Sequence, residues 1–340
     1  MTTLLIAAIA VIKFGGGTPN EFASTLADNL KQNVVATMGD PRLVEPATID
    51  TSDLDTMSRD IRSQTRLVME PGSDLVFSDQ VLARDLVQDS MMLRRQRGDV
   101  EPQYEVPNRP QQVTPRIEVN FIALPGKAVA DGKVTFKTEK ADALQAKQLY
   151  SLGKPVQTHW IYDRSPLFVN VKDMPVIDFG KWAARAIGSR FIATDKEYRF
   201  DLDAQEVRKR AIATMKAEVL PKPESGPNEA EQARTFRIAC INALSTKQVS
   251  EALETQGSSV RVMLGPSSPL SRLAIQRIQQ LEQNQRNYDV ERRGPRNAIG
   301  LFQRVDNSRP AVLIVNSRFA VSMEIPVLDA NGRPDGIVRL

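Results

Sequence analysis

The chain has 340 residues, of which 41% are hydrophobic and 25% are charged. This composition is typical of a globular protein and excludes a disordered or collagen-like chain, and the length suits two or three domains. The formal net charge of +4 is a small excess, and by itself it does not indicate a nucleic-acid partner.

The chain begins with an apolar run in residues 1–10, "MTTLLIAAIA". The run is too short to cross a bilayer as a helix, which needs about 20 residues. It fits either a short signal peptide, although no positive residues precede it, or a first buried strand. The sequence leaves both interpretations open.

Residues 11–97 predict a first small module. "VIKF" is a strand, and Thr18 and Glu21 have the spacing of a capping box at the start of a helix with an apolar face. "VEPATID" predicts the next strand, with Ser52 as the cap of a second helix. "LVME" and "DLVFSD" then predict a closing hairpin.

A proline-rich stretch at 98–116 predicts a linker, and residues 117–219 a second module. Within this module "KADALQAKQLYSL" has the pattern of a helix. The segment 167–217 repeats the strand, helix, strand, strand, helix order, starting with a half-buried strand that contains Val169 and Val171.

The helix after that strand has clear signals at both ends. Asp173 is expected to cap it and Gly188 to end it in a left-handed conformation. Phe179, Trp182 and Ile187 share one helical face, which predicts that all three side chains pack on the sheet of their own module.

Residues 220–234 predict a second linker, and residues 235–283 a third, βαβα-like module. "TFRIACINAL" is expected to be its first strand, followed by a helix capped by Ser245 and Gln248 and by the strand "SVRVML". Residues 284–340 predict a basic loop and a β-rich tail. The predicted fold class is α+β, in tandem strand-helix-strand (βαββα-type) modules with a β-rich C-terminal segment.

The stretch "VNVKDMPVIDFGKWAARAIGSRFIA" resembles the short N-terminal (STN) domain of secretins and TonB-dependent receptors. Residues 11–77 resemble the same domain in a fuller form, and residues 235–283 are more loosely similar to the periplasmic ring-forming modules of secretins. The resemblance covers about half of the chain. It implies a periplasmic or envelope location, contacts with partners or within a ring through sheet and helix faces, and no chemistry.

Few residues suit catalysis or metal binding. His159 is the only histidine and Cys240 the only cysteine, so the sequence has no conventional zinc site and no pair of cysteines for a disulfide. We expect His159 to be a half-buried strand residue and Cys240 a buried, inert thiol. The glycine run in "FGGGT" lacks the residues that complete a phosphate-binding loop and predicts a tight turn.

Two further groups of charged residues have simple structural interpretations. The carboxylate pairs Asp53/Asp55 and Asp201/Asp203 lie at predicted helix starts, where they are expected to cap rather than to bind metal. The basic clusters at 93–97 and 291–296 lack interleaved aromatic residues for base stacking. No catalytic, cofactor-binding or metal-binding residue is therefore predicted.

The sequence thus favours a noncatalytic envelope or periplasmic protein that binds envelope proteins or copies of itself. Neither a cofactor nor a small-molecule substrate is expected, and peripheral association with a membrane stays open. The alternative is a nucleic-acid-binding protein with KH-like modules. It is disfavoured because a KH domain needs a GxxG loop between two helices, whereas the glycines here follow a strand.

Overall fold

The structure is a computed structural model, and its described residues fall into two compact units, one up to residue 217 and one from residue 229 onward. The structure describes residues 11–37, 43–65, 67–70, 75–79, 87, 132–138, 144–145, 152–163, 165–217, 229–277, 279, 304–306, 308–328 and 331–339. The predicted signal peptide or strand at 1–10 and the predicted linker at 98–116 lie outside these residues.

The first part of unit 1 repeats a strand-helix-strand order. Its elements are β1 (Val11–Phe14), α1 (Pro19–Leu30), β2 (Val34–Ala36), β3 (Ala47–Asp50), α2 (Leu54–Thr65), β4 (Leu67–Glu70) and β5 (Leu75–Asp79). The predicted capping box starts α1: the backbone N–H of Glu21 donates to Thr18 Oγ1 at 3.2 Å, and the Thr18 N–H donates to the Glu21 carboxylate at 2.7 Å. The predicted hairpin is confirmed, because β4 and β5 pair antiparallel.

The second part of unit 1 continues the pattern. Its elements are β6 (Lys133–Lys137), β7 (Leu144–Gln145), β8 (Val156–Thr158), a 3-10 turn (Trp160–Tyr162), β9 (Pro166–Pro175), α3 (Val176–Ile187), β10 (Arg190–Ala193), β11 (Tyr198–Asp201) and α4 (Ala204–Ala217). Leu144 and Gln145 are extended, so at these two residues the helix predicted from "KADALQAKQLYSL" is wrong.

The two predicted modules of unit 1 share one sheet. Its strand order is β4-β5-β2-β9-β6, and β7 also pairs with β9. Strand β2 lies parallel to β5 and antiparallel to β9, with Val35 opposite Val169. Residues 11–97 and 117–219 therefore do not form two separate sheets. Strand pairing over more than 100 residues of sequence leaves no local signal, so the patterns of the two segments look independent.

Helices cover both faces of this sheet. Val34, Ala36 and Phe168 join the side chains of α1 and α2 in one buried core, with the two-stranded sheet β1-β3 on the far side of these helices. Val35 and Val169 alternate onto the opposite face, where α3 packs on β2, β5 and β9. The alternation predicted for this strand is confirmed, because Val169 and Val171 are buried while Lys172 is exposed, but the first part of β9, from Pro166 to Val169, is buried on both faces.

Helix α3 differs in part from its prediction. Pro175 occupies the N-cap position and Asp173, at φ 51°, makes no capping hydrogen bond, whereas Gly188 ends the helix at φ 76° as predicted. Phe179 and Ile187 are buried. Trp182 is only half-buried, and the Arg185 guanidinium lies 4.9 Å from its ring centroid. The predicted inward face is thus confirmed for Phe179 and Ile187, whereas Trp182 lies at its half-covered margin.

Unit 2 contains three helices and five strands among its described residues. They are α5 (Glu229–Asn242), α6 (Thr246–Ala252), β12 (Ser259–Leu264), α7 (residues 269–277), β13 (Arg304–Val305), β14 (Ala311–Asn316), β15 (Val321–Leu328) and β16 (Pro334–Arg339). The strands form the order β12-β14-β15-β13, and β16 also pairs with β15. Helix α6 packs on β12 and helix α5 on β15. The capping box of Ser245 and Gln248 is present as predicted.

The strand predicted from "TFRIACINAL" is wrong, because residues 235–242 belong to α5. Phe236, Cys240, Ile241 and Leu244 are buried at intervals of one, three and four residues, which is helical spacing. The β-branched and aromatic residues of this segment favour a strand locally, but its long-range packing decides the conformation. The predicted linker at 220–234 is likewise helical in its last six residues, 229–234.

The predicted fold class is confirmed. The chain is α+β, and its C-terminal region is rich in strands. The hairpin predicted at Asn331 and Gly332 joins β15 to β16, which pair antiparallel, and Gly332 has φ 77°. Every helix in the part of the chain that the structure describes is too short or too polar to cross a membrane.

Candidate interaction edges

His159 lies between β8 and the 3-10 turn, where it is half-buried as predicted. Its backbone N–H donates to the Phe200 carbonyl at 3.0 Å. The Nδ1 atom is buried and has no hydrogen-bond partner among the described residues. Burial lowers the pKa of His159 below its usual value of 6.5, while the nearby carboxylates of Asp201 and Asp163 oppose that shift. A neutral imidazole packed beside Trp160 suits a structural role.

Cys240 is fully buried in α5. Burial raises the pKa of its thiol to about 12, so almost no thiolate forms near neutral pH. Cys240 is therefore a buried, inert thiol as predicted, although it lies in a helix and not in the predicted strand.

The carboxylates of the two predicted pairs do not all have the same role. Asp53 accepts from the Thr56 N–H at 2.8 Å and Asp203 from the Glu206 N–H at 3.0 Å, so both cap helices as predicted. Ser52 was expected to cap α2, but that position belongs to Asp53. Asp201 instead binds Arg199 at 2.9 Å. The hydrogen bond from Thr56 lowers the pKa of Asp53.

The remaining predicted features do not form a ligand site. In the glycine run, Gly17 exchanges two backbone hydrogen bonds with Val44, at 3.0 and 2.7 Å, so it forms a turn and bridge. No group of three or more His, Cys, Asp or Glu side chains within the described ranges is placed to hold a metal ion. The basic clusters at 93–97 and 291–296 lie outside the described residues.

The sheet edges are the features left for a functional role, and they differ in how well they are protected. Strand β6 carries lysines at both ends, and its register with β9 is irregular between Val134 and Phe136. Strand β16 begins with a proline, and its register with β15 shifts between Val327 and Leu328. Lysine, proline and bulges are devices that hinder pairing with another chain. Strand β10 lies at the edge of a three-stranded sheet of unit 1, in the order β10-β11-β8, and has only four residues.

Strand β12, "SVRVML", lacks these protective features. Six consecutive residues pair in regular register with β14, from Ser259 opposite Asn316 to Leu264 opposite Ala311. Among the described residues β14 is its only sheet neighbour. In an antiparallel strand, alternate residues direct their N–H and C=O groups away from the paired neighbour. The side of β12 that no described strand pairs with, called its free edge from here on, therefore offers a row of backbone donors and acceptors.

The side chains of β12 alternate between two environments. Val260 is buried and Val262 and Leu264 are half-buried, on the face that α6 covers. Arg261 and Met263 are on the opposite face, and Met263 is 65% exposed, the highest value among the large apolar residues described. The Arg261 guanidinium binds the Glu324 carboxylate at 2.8 Å within its own sheet, and the arginine side chain stays 61% exposed.

Comparisons of this chain with protein-family models, with curated proteins and with solved structures find no match. The candidate site therefore depends on geometry alone. Sequence reasoning identified "SVRVML" as a strand, but it did not single out this strand as a contact site. The sequence signal for this site is the absence of lysine and proline between Ser259 and Leu264. It indicates an edge that can add a strand only when the strand is known to lie at the edge of its sheet.

Proposed function

We propose that this chain is a noncatalytic interaction protein that binds protein partners by adding an extended strand to the free edge of β12. The observation that supports this most directly is the regular, unprotected, six-residue edge with an exposed Met263. In such binding the backbone hydrogen bonds provide affinity, and the alternating side chains provide specificity.

The chemistry of β12 suggests which strand would fit. Val262 and Leu264 call for apolar residues on the helix-covered face of the incoming strand. On the outer face Met263 offers apolar contact, and the exposed guanidinium of Arg261, which pairs with Glu324, disfavours a second positive charge opposite it. The expected partner is thus an extended segment of alternating apolar residues without a lysine or arginine opposite Arg261.

An envelope or periplasmic location is part of the same proposal. It is supported by the resemblance of residues 11–77 and 167–217 to STN domains, and by the repeated strand-helix-strand order of β1 to β5 and of β9 to α4. Fractionation of cells that produce the protein tests this part. Recovery with periplasmic or membrane fractions supports the location, and recovery only with cytoplasmic markers contradicts it.

The binding proposal is tested with purified protein and cross-linking mass spectrometry of the complexes it forms in envelope extracts. Wild-type protein is compared with Met263→Lys, which places a charge on the edge strand, and with Ile337→Lys. Ile337 is a matched control because it is 57% exposed in the same sheet but lies on β16. We expect cross-links near β12, lost in Met263→Lys and retained in Ile337→Lys. Equal loss or equal retention in both variants contradicts the proposal.

A further inference from the structure

The partner strand at β12 can be specified further if the proposed function is correct, and this inference depends on it. We propose that β12 pairs antiparallel with β12 of a second copy of this chain, about a two-fold axis through Val262. A second copy supplies the same strand, so the test is whether the sequence "SVRVML" complements itself.

The register follows from which side chains must share a face. Residues directly opposite each other in an antiparallel pair point to the same side of the sheet. With the axis at Val262, Arg261 of one copy lies opposite Met263 of the second copy, and Val260 lies opposite Leu264. Val262 lies opposite its own equivalent. Five residues of each strand are then paired, with apolar residues opposite each other on the helix-covered face.

The charges of the outer face permit this register. An axis at Arg261 would place the two copies of this arginine directly opposite each other, where their charges would repel. With the axis at Val262 each arginine instead meets a methionine and keeps its ion pair with Glu324, at 2.8 Å, within its own sheet. The exposed Met263 side chains gain an apolar contact with the aliphatic part of Arg261. The strand is therefore self-complementary in the register with its axis at Val262.

The two sheets would join into one continuous sheet across the copies, with two-fold symmetry and no further free edge at β12. Because the contact covers only about five residues on each side, we expect it to be weak and dependent on protein concentration. Sedimentation equilibrium of the full chain measures it.

Charge variants at Met263 test the register. Met263→Lys places a lysine opposite Arg261 of the second copy, twice per dimer, and is expected to weaken dimerisation about tenfold or more. Met263→Glu places an opposite charge there and is expected to retain or strengthen dimerisation. Since Met263 is 65% exposed, both variants should fold, which circular dichroism checks. Equal weakening in both variants overturns the register.

Disulfide formation between introduced cysteines tests the proposed register directly. The two Val262→Cys residues would lie directly opposite each other, at a Cα distance that a disulfide spans. Ser259→Cys is the matched control, because the two copies of residue 259 would lie about 20 Å apart in this register. The native Cys240 is fully buried and should not interfere. We expect a covalent dimer from Val262→Cys and none from Ser259→Cys under mild oxidation.

The outcomes separate this inference from the proposed function. Cross-linking of both variants or of neither overturns self-pairing through Val262, as does a wild-type protein that stays monomeric at all concentrations. The proposed function then still stands if a different envelope protein is cross-linked at β12 and lost in Met263→Lys. If β12 is cross-linked to nothing, both are wrong.

Discussion

The Tyr162 hydroxyl donates a hydrogen bond of 2.8 Å to the Gly188 carbonyl oxygen, which links the 3-10 turn to the end of α3. The same hydroxyl accepts from the Asp203 N–H at 3.2 Å, next to the start of α4. One buried oxygen thus joins three elements of unit 1, and burial raises the pKa of this phenol. Arg210 strengthens the junction by donating to the Ala186 carbonyl at 2.8 Å.

Replacing Tyr162 by Phe removes that oxygen and leaves the Gly188 carbonyl and the Asp203 N–H without this partner. We expect the free energy of unfolding to fall by about 1–3 kcal/mol, since unsatisfied buried groups are costly. Urea denaturation measures the change. An unchanged midpoint contradicts the role assigned to the hydroxyl.

Gly180 provides room for the ring of Phe191. A Cβ atom at position 180 would lie 2.3 Å from the Phe191 Cζ atom, closer than real contacts allow. Gly180→Ala should therefore destabilise unit 1 by about 1–3 kcal/mol, although alanine favours helices over glycine. Thermal or urea unfolding checks this.

Gly265→Ala is a suitable control for that variant, because no heavy atom of the described residues lies within 4 Å of the added Cβ. A second substitution, Phe191→Leu, should recover part of the stability lost in Gly180→Ala. If Gly180→Ala is as stable as the wild type, the close approach of helix and ring is not present.

Because His159 is partly buried, we expect the free energy of unfolding to depend on pH. Its folded-state pKa lies below the usual 6.5 because burial disfavours the charged ring. The neutral form is thus favoured on folding, so this contribution is complete above about pH 6.5 and is lost as pH falls toward the folded-state pKa. His159→Gln lacks this contribution, so the free energy of unfolding of the variant should fall less steeply as pH decreases in this range.

The measurement is urea denaturation of both proteins between pH 5 and 8. The carboxylates titrate in both, so the difference between the two free energies isolates the histidine. A difference that stays constant across this range contradicts a lowered pKa for His159.

Local signals in the sequence determined which predictions are correct. The capping boxes of Thr18 and Ser245 and the left-handed Gly188 depend on neighbours within a few residues, so the sequence alone was sufficient to identify them. The burial of Cys240 was likewise predicted from its apolar neighbours in the sequence, although not the helix that contains it.

Long-range packing determined which predictions are wrong. Residues 235–242 contain strand-favouring side chains, yet they form a helix whose Phe236 and Cys240 pack inward. The pairing of β2 with β9 joins residues more than 130 positions apart, and no local pattern reveals it. The free edge of β12 is likewise a property of the whole sheet, not of "SVRVML".

Hydrogen-deuterium exchange of the backbone amides in β12 tests the central claim most directly. Exchange is compared between the free protein and a complex with a protein partner, whether an envelope protein or a second copy. Strand addition predicts that the alternate amides of residues 259–264 that point away from β14 exchange more slowly in the complex, with β6 and β10 unchanged and the effect absent in Met263→Lys. Unchanged exchange in residues 259–264 of a stable complex, with protection elsewhere, would contradict the claim that this protein binds partners through the edge of β12.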